Sequence, residues 1–242
     1  MLYGRFTDSV KPIRFVMRTT PDTFGLPMIC FSHQVSLLPP QAIEAVFFDL
    51  DATLVSSTLN FQQIRQELGY EGEVDFLQLM QRLPPKESQR IQEIIHRHEC
   101  EDAEAATAMP GAASLLHFCQ LQGWPTVVVT RNSRSVAALK LQRSDLQVDK
   151  LIARDDAFPA KPDPAVFLSL FNQYGLTANR VIYVGDYIYD IQTARNAGMI
   201  SALTYEDDLP EFANQSDICI KGLTALERWL TQHQKNAACL AK

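Results

Sequence analysis

From residue 44 onward, short apolar segments alternate with segments of helical pattern, and this alternation constrains the fold more than any other feature. The clearest apolar segment is Pro125–Thr130, which contains three consecutive valines. The other apolar segments also lack regular polar residues, as is typical of parallel strands that are buried on both faces. Repeated strand–helix units of this kind predict an α/β fold, a doubly wound parallel sheet with right-handed crossovers.

Residue types indicate where the predicted elements begin and end. The predicted strands are Glu44–Asp49, Pro125–Thr130, Lys150–Ala153, Arg180–Gly185, Met199–Leu203 and a weaker Asp217–Ile220. The predicted helices are Gly111–Gln122, Ser133–Arg143, a helix from Asp163 to Gly175, and Asp190–Ala197. Glycines follow or end three of these helices, where glycine is favoured because it adopts a positive φ without steric cost.

The segment from Thr58 to Ala108 interrupts the alternation because it is polar and helical throughout. Helices are predicted near Thr58–Leu68, Val74–Arg82 and Lys86–Ala108. An all-helical insertion directly after the first strand predicts a small cap over the carboxyl edge of the sheet. The predicted domains are an N-terminal extension over 1–42, an α/β core over 43–56 and 109–232, a helical cap over 57–108, and a C-terminal tail over 233–242.

Composition excludes some classes of partner. The net charge of −6 argues against a general nucleic-acid binder, because phosphate backbones require a basic surface. No apolar run approaches the length of a membrane span. Five scattered cysteines predict reduced thiols and a cytoplasmic protein. Residues 1–42 leave three alternatives open: an organellar transit peptide, an extension packed on the domain, or a start codon assigned too early.

Polar residues follow several of the predicted strands. They are Asp49 and Asp51, Thr130, Lys161, and Asp186 with Asp190. Because the carboxyl ends of parallel strands meet at one edge of a sheet, we expect these residues to share one pocket. Four carboxylates with room for water suit Mg²⁺ better than zinc.

Each of these residues also has an ordinary structural explanation. Asp49 and Asp51 could be turn residues, and Asp190 could cap the helix that it opens. Thr130 could be a plain β-branched strand residue, and Lys161 a solvated loop residue. A functional interpretation is favoured because all of them occur together, in order, at strand ends.

Taken together, the residues resemble the four motifs of the haloacid dehalogenase-like (HAD) superfamily, especially its phosphoglycolate-phosphatase-like branch with a small helical cap. The match runs over roughly residues 43–230. Its motifs correspond to Asp49, Asp51 and Thr53, then Thr130, then Lys161, then Gly185, Asp186 and Asp190. The resemblance implies Mg²⁺ held by the Asp49 carboxylate, the Asp51 backbone carbonyl and Asp186. Asp190 would act through water or orient Lys161.

The residue types suggest a role for each side chain. Asp49 would attack phosphorus and form an aspartyl-phosphate. Asp51 would protonate the leaving oxygen and then accept a proton from the hydrolytic water. Thr130 and Asn132 would donate hydrogen bonds to phosphoryl oxygens, and Lys161 would offset their charge.

The leading hypothesis is therefore a Mg²⁺-dependent phosphatase acting on a small phosphorylated metabolite, with no nucleic-acid or membrane partner. A phosphomutase of the same superfamily and a catalytically weak binding or scaffold protein are the alternatives. The scaffold alternative is motivated by Ala52, which stands where the phosphatase branch usually has glycine. If that backbone needs a positive φ, alanine costs about 1 kcal/mol, and we expect weakened or retargeted activity. The sequence predicts neither the substrate nor the oligomeric state.

Two further clusters are assigned to the surface. His96, His98 and Cys100 resemble a metal cluster, but on a helix His98 points away from the other two. The basic residues of the predicted cap are interpreted as surface charges; they are Arg65, Arg82, Lys86 and Arg90.

Overall fold

The computed structural model describes residues 29–31 and 43–240. Predictions for the rest of the N-terminal extension and for the last two residues lie outside this part of the chain. Its strands are β1 (Ile29–Phe31), β2 (Ala45–Phe48), β3 (Val127–Val129), β4 (Lys150–Ile152), β5 (Val181–Gly185), β6 (Ile200–Tyr205) and β7 (Ile218–Lys221). Its helices are α1 (Phe61–Leu68), α2 (Phe76–Met80), α3 (Pro85–Glu104), α4 (Ala112–Leu121), α5 (Arg134–Arg143), α6 (Ala165–Tyr174), α7 (Ile188–Asn196) and α8 (Leu223–Leu240).

The strands form one sheet in the order β1-β7-β6-β5-β2-β3-β4. Strands β2 to β7 are parallel, which confirms the predicted doubly wound α/β sheet. Strand β1 is different, because it pairs antiparallel with β7 and places Ile29 opposite Ile220. The sequence did not predict this strand, since three residues are too few to show strand periodicity.

Both faces of the sheet are covered, which explains why its strands are almost uniformly apolar. On β2, Val46 and Phe48 belong to an apolar cluster that includes residues of α4, α5 and α8. Phe47 points to the other face, where its ring lies 6.3 Å from that of Phe167 on α6. Successive strand residues are therefore buried in two separate layers. Within the described residues, no helix combines the length and apolar character needed to cross a bilayer.

Helices α1, α2 and α3 lie between β2 and β3 and are called the helical insertion below. They have an apolar centre of their own, formed by Ile64, Phe76, Ile91 and Ile95. Helix α3 ends at Glu104, whereas the sequence predicted a helix to Ala108. The residues after α3 instead meet the outgoing chain: Thr107 accepts a hydrogen bond from the Ser56 amide at 2.8 Å, and Ala108 pairs with Val55.

Two other helix starts differ slightly from prediction. Helix α7 begins at Ile188 instead of Asp190, because the Asp190 carboxylate accepts a hydrogen bond from the Tyr187 amide at 3.1 Å and closes the first turn. Pro164 is the N-cap of α6, one position later than expected. The Asp163 carboxylate nevertheless accepts a bond from the Ala165 amide at 2.8 Å, so it still supports that helix start.

Ion pairs fasten α3 to the core. The Arg154 guanidinium, which follows β4, binds both oxygens of Glu99 at 2.6 and 3.0 Å, and the Glu99 side chain is only 4% exposed. A second pair joins Arg143 of α5 to Glu104, with both side chains at least half exposed. Of these two ion pairs, one is buried and the other is solvated, so they should differ greatly in their contribution to stability.

We expect Arg154→Met to lower the free energy of unfolding by about 3 kcal/mol, because it leaves the Glu99 carboxylate buried without its cation. Arg143→Met is the matched control and should cost under about 1 kcal/mol. Urea unfolding of the full chain measures both. Adding Glu99→Met to Arg154→Met should recover part of the loss. Equal effects of the two arginine substitutions would show that the buried pair does not anchor α3.

Candidate active site

The residues that the sequence placed in one pocket lie at the carboxyl edge of the sheet. Asp49 directly follows β2, and its backbone amide donates to the Val184 carbonyl at 2.8 Å. Thr130 directly follows β3, and its amide donates to the Ile152 carbonyl at 2.9 Å. Asp186 directly follows β5. The parallel ladder therefore continues into the site residues and fixes the positions of their side chains.

Lys161 is the cation at the centre of this edge. Its ammonium donates to Asp49 at 2.5 Å, to Asp190 at 2.6 Å and to the Tyr183 hydroxyl at 3.0 Å. Burial would lower the pKa of the Lys161 ammonium, but the Asp190 and Asp49 carboxylates outweigh burial and raise it well above its usual value. Lys161 is therefore charged and is held by three contacts.

Tyr183 is a site residue that the sequence reasoning missed. Its side chain is fully buried in β5, and its hydroxyl accepts from Lys161 and donates to the Val129 carbonyl at 3.0 Å. In the sequence it stands inside the predicted strand Arg180–Gly185, away from the strand ends where site residues were expected. The only available signal was a hydroxyl in a buried run, which must find a partner when it is buried.

Three carboxylates come together around Lys161. Oxygen atoms of Asp49, Asp186 and Asp190 all lie within 4.8 Å of one another. Burial raises the pKa of Asp49 to about 7, with the Lys161 ammonium opposing the rise. Burial also raises the pKa of Asp186 well above its usual value, and the Asp190 and Asp49 carboxylates add to the rise. Such a buried, oxygen-only group fits a hard divalent cation, which would relieve the repulsion.

Asp190 has two roles at once. Its Oδ1 atom accepts from Lys161, while its Oδ2 atom accepts from the Tyr187 amide and caps α7. Its position against β5 requires Gly185, because a Cβ atom on that residue would lie 2.3 Å from the Asp190 carboxyl carbon. The capping explanation and the site explanation from the sequence are therefore compatible.

Asp51 lies in different surroundings from Asp49. One of its carboxylate oxygens accepts from the Lys140 ammonium, and the other accepts from the Asn132 side-chain amide. Its side chain is 27% exposed, and it is not part of the three-carboxylate group. The sequence assigned Asn132 to the phosphate, and its contact with Asp51 was not anticipated. Lys140 was missed entirely, because a lysine in a helical pattern reads as a surface residue.

Thr130 completes the set of predicted residues. It is 5% exposed, and its hydroxyl oxygen accepts a hydrogen bond from the Asn132 backbone amide at 3.1 Å. This bond closes a tight turn after β3, so Thr130 and Asn132 are held next to each other. Their proximity, together with the contact from Asn132 to Asp51, connects the end of β3 to Asp51.

This geometry agrees with the outcome of a comparison with known protein families. A model described as haloacid dehalogenase-like hydrolase matches residues 46–204, more than half of the chain. The chain belongs to this family. The HAD resemblance stated from the sequence is thereby confirmed, and the protein is a member of a hydrolase family.

Named relatives and solved structures agree with this assignment. An N-acetylmuramic acid 6-phosphate phosphatase of Pseudomonas aeruginosa is 25% identical over 66% of this chain and 80% of the relative. A phosphoglycolate phosphatase of Escherichia coli is 32% identical, covering 51% of both proteins. A Pseudomonas syringae hydrolase structure has a TM-score of 0.67 at 19% identity, covering 78% of this chain and 98% of that one. A Clostridium difficile β-phosphoglucomutase structure has a TM-score of 0.62 at 16% identity, covering 82% of this chain and 99% of that one. The two structural matches show the fold alone.

The sequence assigned two clusters to the surface, and this is wrong for His98, which is only 8% exposed. The His98 ring bonds to Glu67 of α1 at 2.8 Å, while Cys100 lies 3.5 Å from the His96 ring. His98 therefore does point away from the other two residues. The basic side chains of the helical insertion are partly or fully exposed at Arg65, Arg82, Lys86 and Arg90.

Ala52 has a backbone conformation that favours glycine. Its φ is +49°, in the left-handed region that residues other than glycine rarely adopt. The positive φ on which the expected cost of Ala52 depended is therefore present. The backbone of the first motif, between Asp49 and Thr53, carries strain of about 1 kcal/mol. Asp145, an exposed loop residue after α5, has nearly the same φ of +50° and offers a comparison outside the site.

We expect Ala52→Gly to change stability by less than about 1 kcal/mol, because relief of the left-handed backbone offsets the greater freedom of the unfolded chain. It should also raise the turnover of an aryl phosphate, since the first motif relaxes. The control Asp145→Gly should have a similar effect on urea unfolding and none on turnover. Lower turnover in Ala52→Gly would show that the enzyme uses the strained backbone.

Proposed function

We propose that the protein is a Mg²⁺-dependent phosphatase that hydrolyses a small phosphomonoester through an aspartyl-phosphate on Asp49. The observation that carries this proposal is the difference between two neighbouring carboxylates. Asp49 is 7% exposed and contacts Lys161, whereas Asp51 is bound by Lys140 and Asn132 outside the three-carboxylate group. Two carboxyl groups in different environments can perform different tasks in one reaction.

In the first step, a carboxylate oxygen of Asp49 attacks the phosphorus atom in line with the ester oxygen. The bond between phosphorus and the ester oxygen breaks, and Asp51 delivers a proton to the departing alcohol. Thr130 and Asn132 donate hydrogen bonds to the phosphoryl oxygens. Lys161 balances the negative charge that spreads over them in the transition state.

In the second step, a water molecule attacks the phosphorus of the aspartyl-phosphate. Asp51, now a carboxylate, accepts a proton from that water, and the bond between Asp49 and phosphorus breaks. Inorganic phosphate leaves, and both carboxyl groups return to their starting states. Because Asp51 lies two residues from Asp49 on the same strand extension, one side chain can serve both steps.

The oxygen-only cluster is the basis for proposing Mg²⁺ as the cofactor. Asp49, Asp186 and the Asp51 backbone carbonyl would hold the ion, with Asp190 acting through water or through Lys161. When bound, Mg²⁺ neutralises negative charge on the reacting phosphoryl group and on the carboxylates around it. The rest of the work falls to the side chains described above.

The substrate class is inferred from the relatives. Their names refer to N-acetylmuramic acid 6-phosphate and phosphoglycolate, which are small phosphorylated metabolites. We extend only this general class to the present chain and expect neither a nucleic-acid nor a membrane partner. The helical insertion, proposed here as the cap over the site, would select the substrate.

We expect the full chain to release phosphate from p-nitrophenyl phosphate only with Mg²⁺ present, and Asp49→Asn to lose this activity at least about 1000-fold, because an amide cannot form the aspartyl-phosphate. Asp207→Asn, an exposed carboxylate outside the site, is the matched control and should retain full activity. Intact-mass spectrometry of the Asp51→Asn variant after mixing with substrate should detect one added phosphoryl group, since its second step is slowed.

Activity that survives in Asp49→Asn would remove Asp49 as the nucleophile. A wild type that is inactive on a broad panel of phosphate esters would favour the scaffold alternative. If a phosphoryl group transferred to a sugar phosphate outweighs release to water, the phosphomutase alternative is correct.

A further inference from the structure

Lys140 of α5 is a fully buried lysine that the reaction described above does not use. Its side chain is 0% exposed, and its ammonium contacts two carboxylates. One is Asp51, and the other is Asp102 near the end of α3, whose Oδ2 atom lies 2.5 Å away. Lys140 therefore lies between the proposed acid/base and the helical insertion.

A lysine in this position is costly unless its charge is matched. Removing an ammonium from water carries a large desolvation cost, and an apolar residue of similar size would avoid that cost. Burial alone would lower the pKa of Lys140, but Asp51 and Asp102 outweigh burial, and the net pKa is raised. The ammonium donates to both carboxylates and so links Asp51 to Asp102.

Asp102 anchors Lys140 to the point where the chain leaves the core. Its carboxylate accepts from the Ser57 hydroxyl at 2.7 Å and from the Thr58 amide and hydroxyl at 2.6 and 3.0 Å. Ser57 and Thr58 lie in the connection that runs from β2 and Asp51 to α1. Three donors other than Lys140 therefore bind the Asp102 carboxylate, which fixes its position independently of Lys140.

Both carboxylate oxygens of Asp51 have a fixed donor. Lys140 holds one of them and the Asn132 amide holds the other, so the plane of the carboxyl group is defined from two sides. Delivery of a proton to a leaving oxygen depends on the orientation of the donor as much as on its presence. The two contacts define that orientation before any substrate binds.

We propose that Lys140 is a positioning residue that orients the Asp51 carboxyl group for proton transfer. Through Asp102, it also connects Asp51 to the segment that leads into the helical insertion. The inference rests on the proposed function, because it assigns Lys140 a part in the same reaction. Lys140 touches neither substrate nor phosphoryl group and acts only through Asp51.

Leaving-group dependence tests this role. Substituted phenyl phosphates share one ring but differ in the basicity of the phenol that departs. The weakly basic p-nitrophenolate departs without being protonated, whereas the more basic phenolate needs a proton from a general acid. Lys140→Met should therefore reduce kcat/KM for phenyl phosphate about 10-fold more than for p-nitrophenyl phosphate, as expected from partial loss of acid catalysis. Asp102→Asn should have the same signature at a smaller size.

Three controls separate this role from a structural one. Lys221→Met, an exposed lysine on β7, should behave as the wild type. The inhibition constant for inorganic phosphate should stay within about twofold in Lys140→Met, because phosphate binding relies on other residues. In an Asp51→Asn background, Lys140→Met should add no further leaving-group selectivity.

The inference is overturned if folded Lys140→Met loses activity equally on all esters, or loses none. A second measurement does not need activity. Urea unfolding of Lys140→Met, Asp51→Asn and the double variant should depart from additivity by about fivefold in the unfolding equilibrium constant, as expected for groups in contact. Additive effects contradict the contact. If the wild type hydrolyses no ester with Mg²⁺, the proposed function fails and the catalytic role of Lys140 fails with it, while this cycle still reports on the contact itself.

Discussion

The contact of the Lys161 ammonium with Asp49 and Asp190 is the interaction on which the rest of the site depends. Three carboxylates lie within 4.8 Å of one another at the end of a buried sheet, where their mutual repulsion is strong. Lys161 offsets part of this repulsion in the free protein. The Tyr183 hydroxyl accepts a hydrogen bond from this ammonium, and Gly185, which has no side chain, leaves space for Asp190.

The helical insertion is joined to the site by polar contacts and not by apolar packing alone. Its helix α3 carries Glu99 and Asp102, which are both buried and both paired with cations of the core. Each of these cations lies next to a segment of the site: Arg154 bonds to the Arg131 carbonyl, and Lys140 bonds to Asp51. A change in the position of α3 would therefore displace charged groups that contact the site at the carboxyl edge of the sheet.

Much of the fold was readable in the sequence because each parallel strand, buried on both faces, leaves an uninterrupted apolar signal. The meeting of the candidate site residues at one edge was predictable for a related reason, since strand ends in a parallel sheet converge on one edge. What the sequence did not provide were contacts made across distant elements. Lys140 and Asp102 lie on separate helices, and no spacing rule brings them to Asp51. Tyr183 looked like core because nothing in its local sequence indicates the ammonium beside its hydroxyl.

Strand β1 has a different kind of importance from the residues of the site. It covers the edge of the sheet at β7 through antiparallel pairing, with Cys30 opposite Cys219. An uncovered edge strand presents free amide and carbonyl groups that another chain can pair with. A shortened protein that starts at residue 43 would retain every proposed catalytic side chain and still expose such an edge at β7. Strand β1 thus occupies pairing groups of β7 that such a shortened protein would leave free.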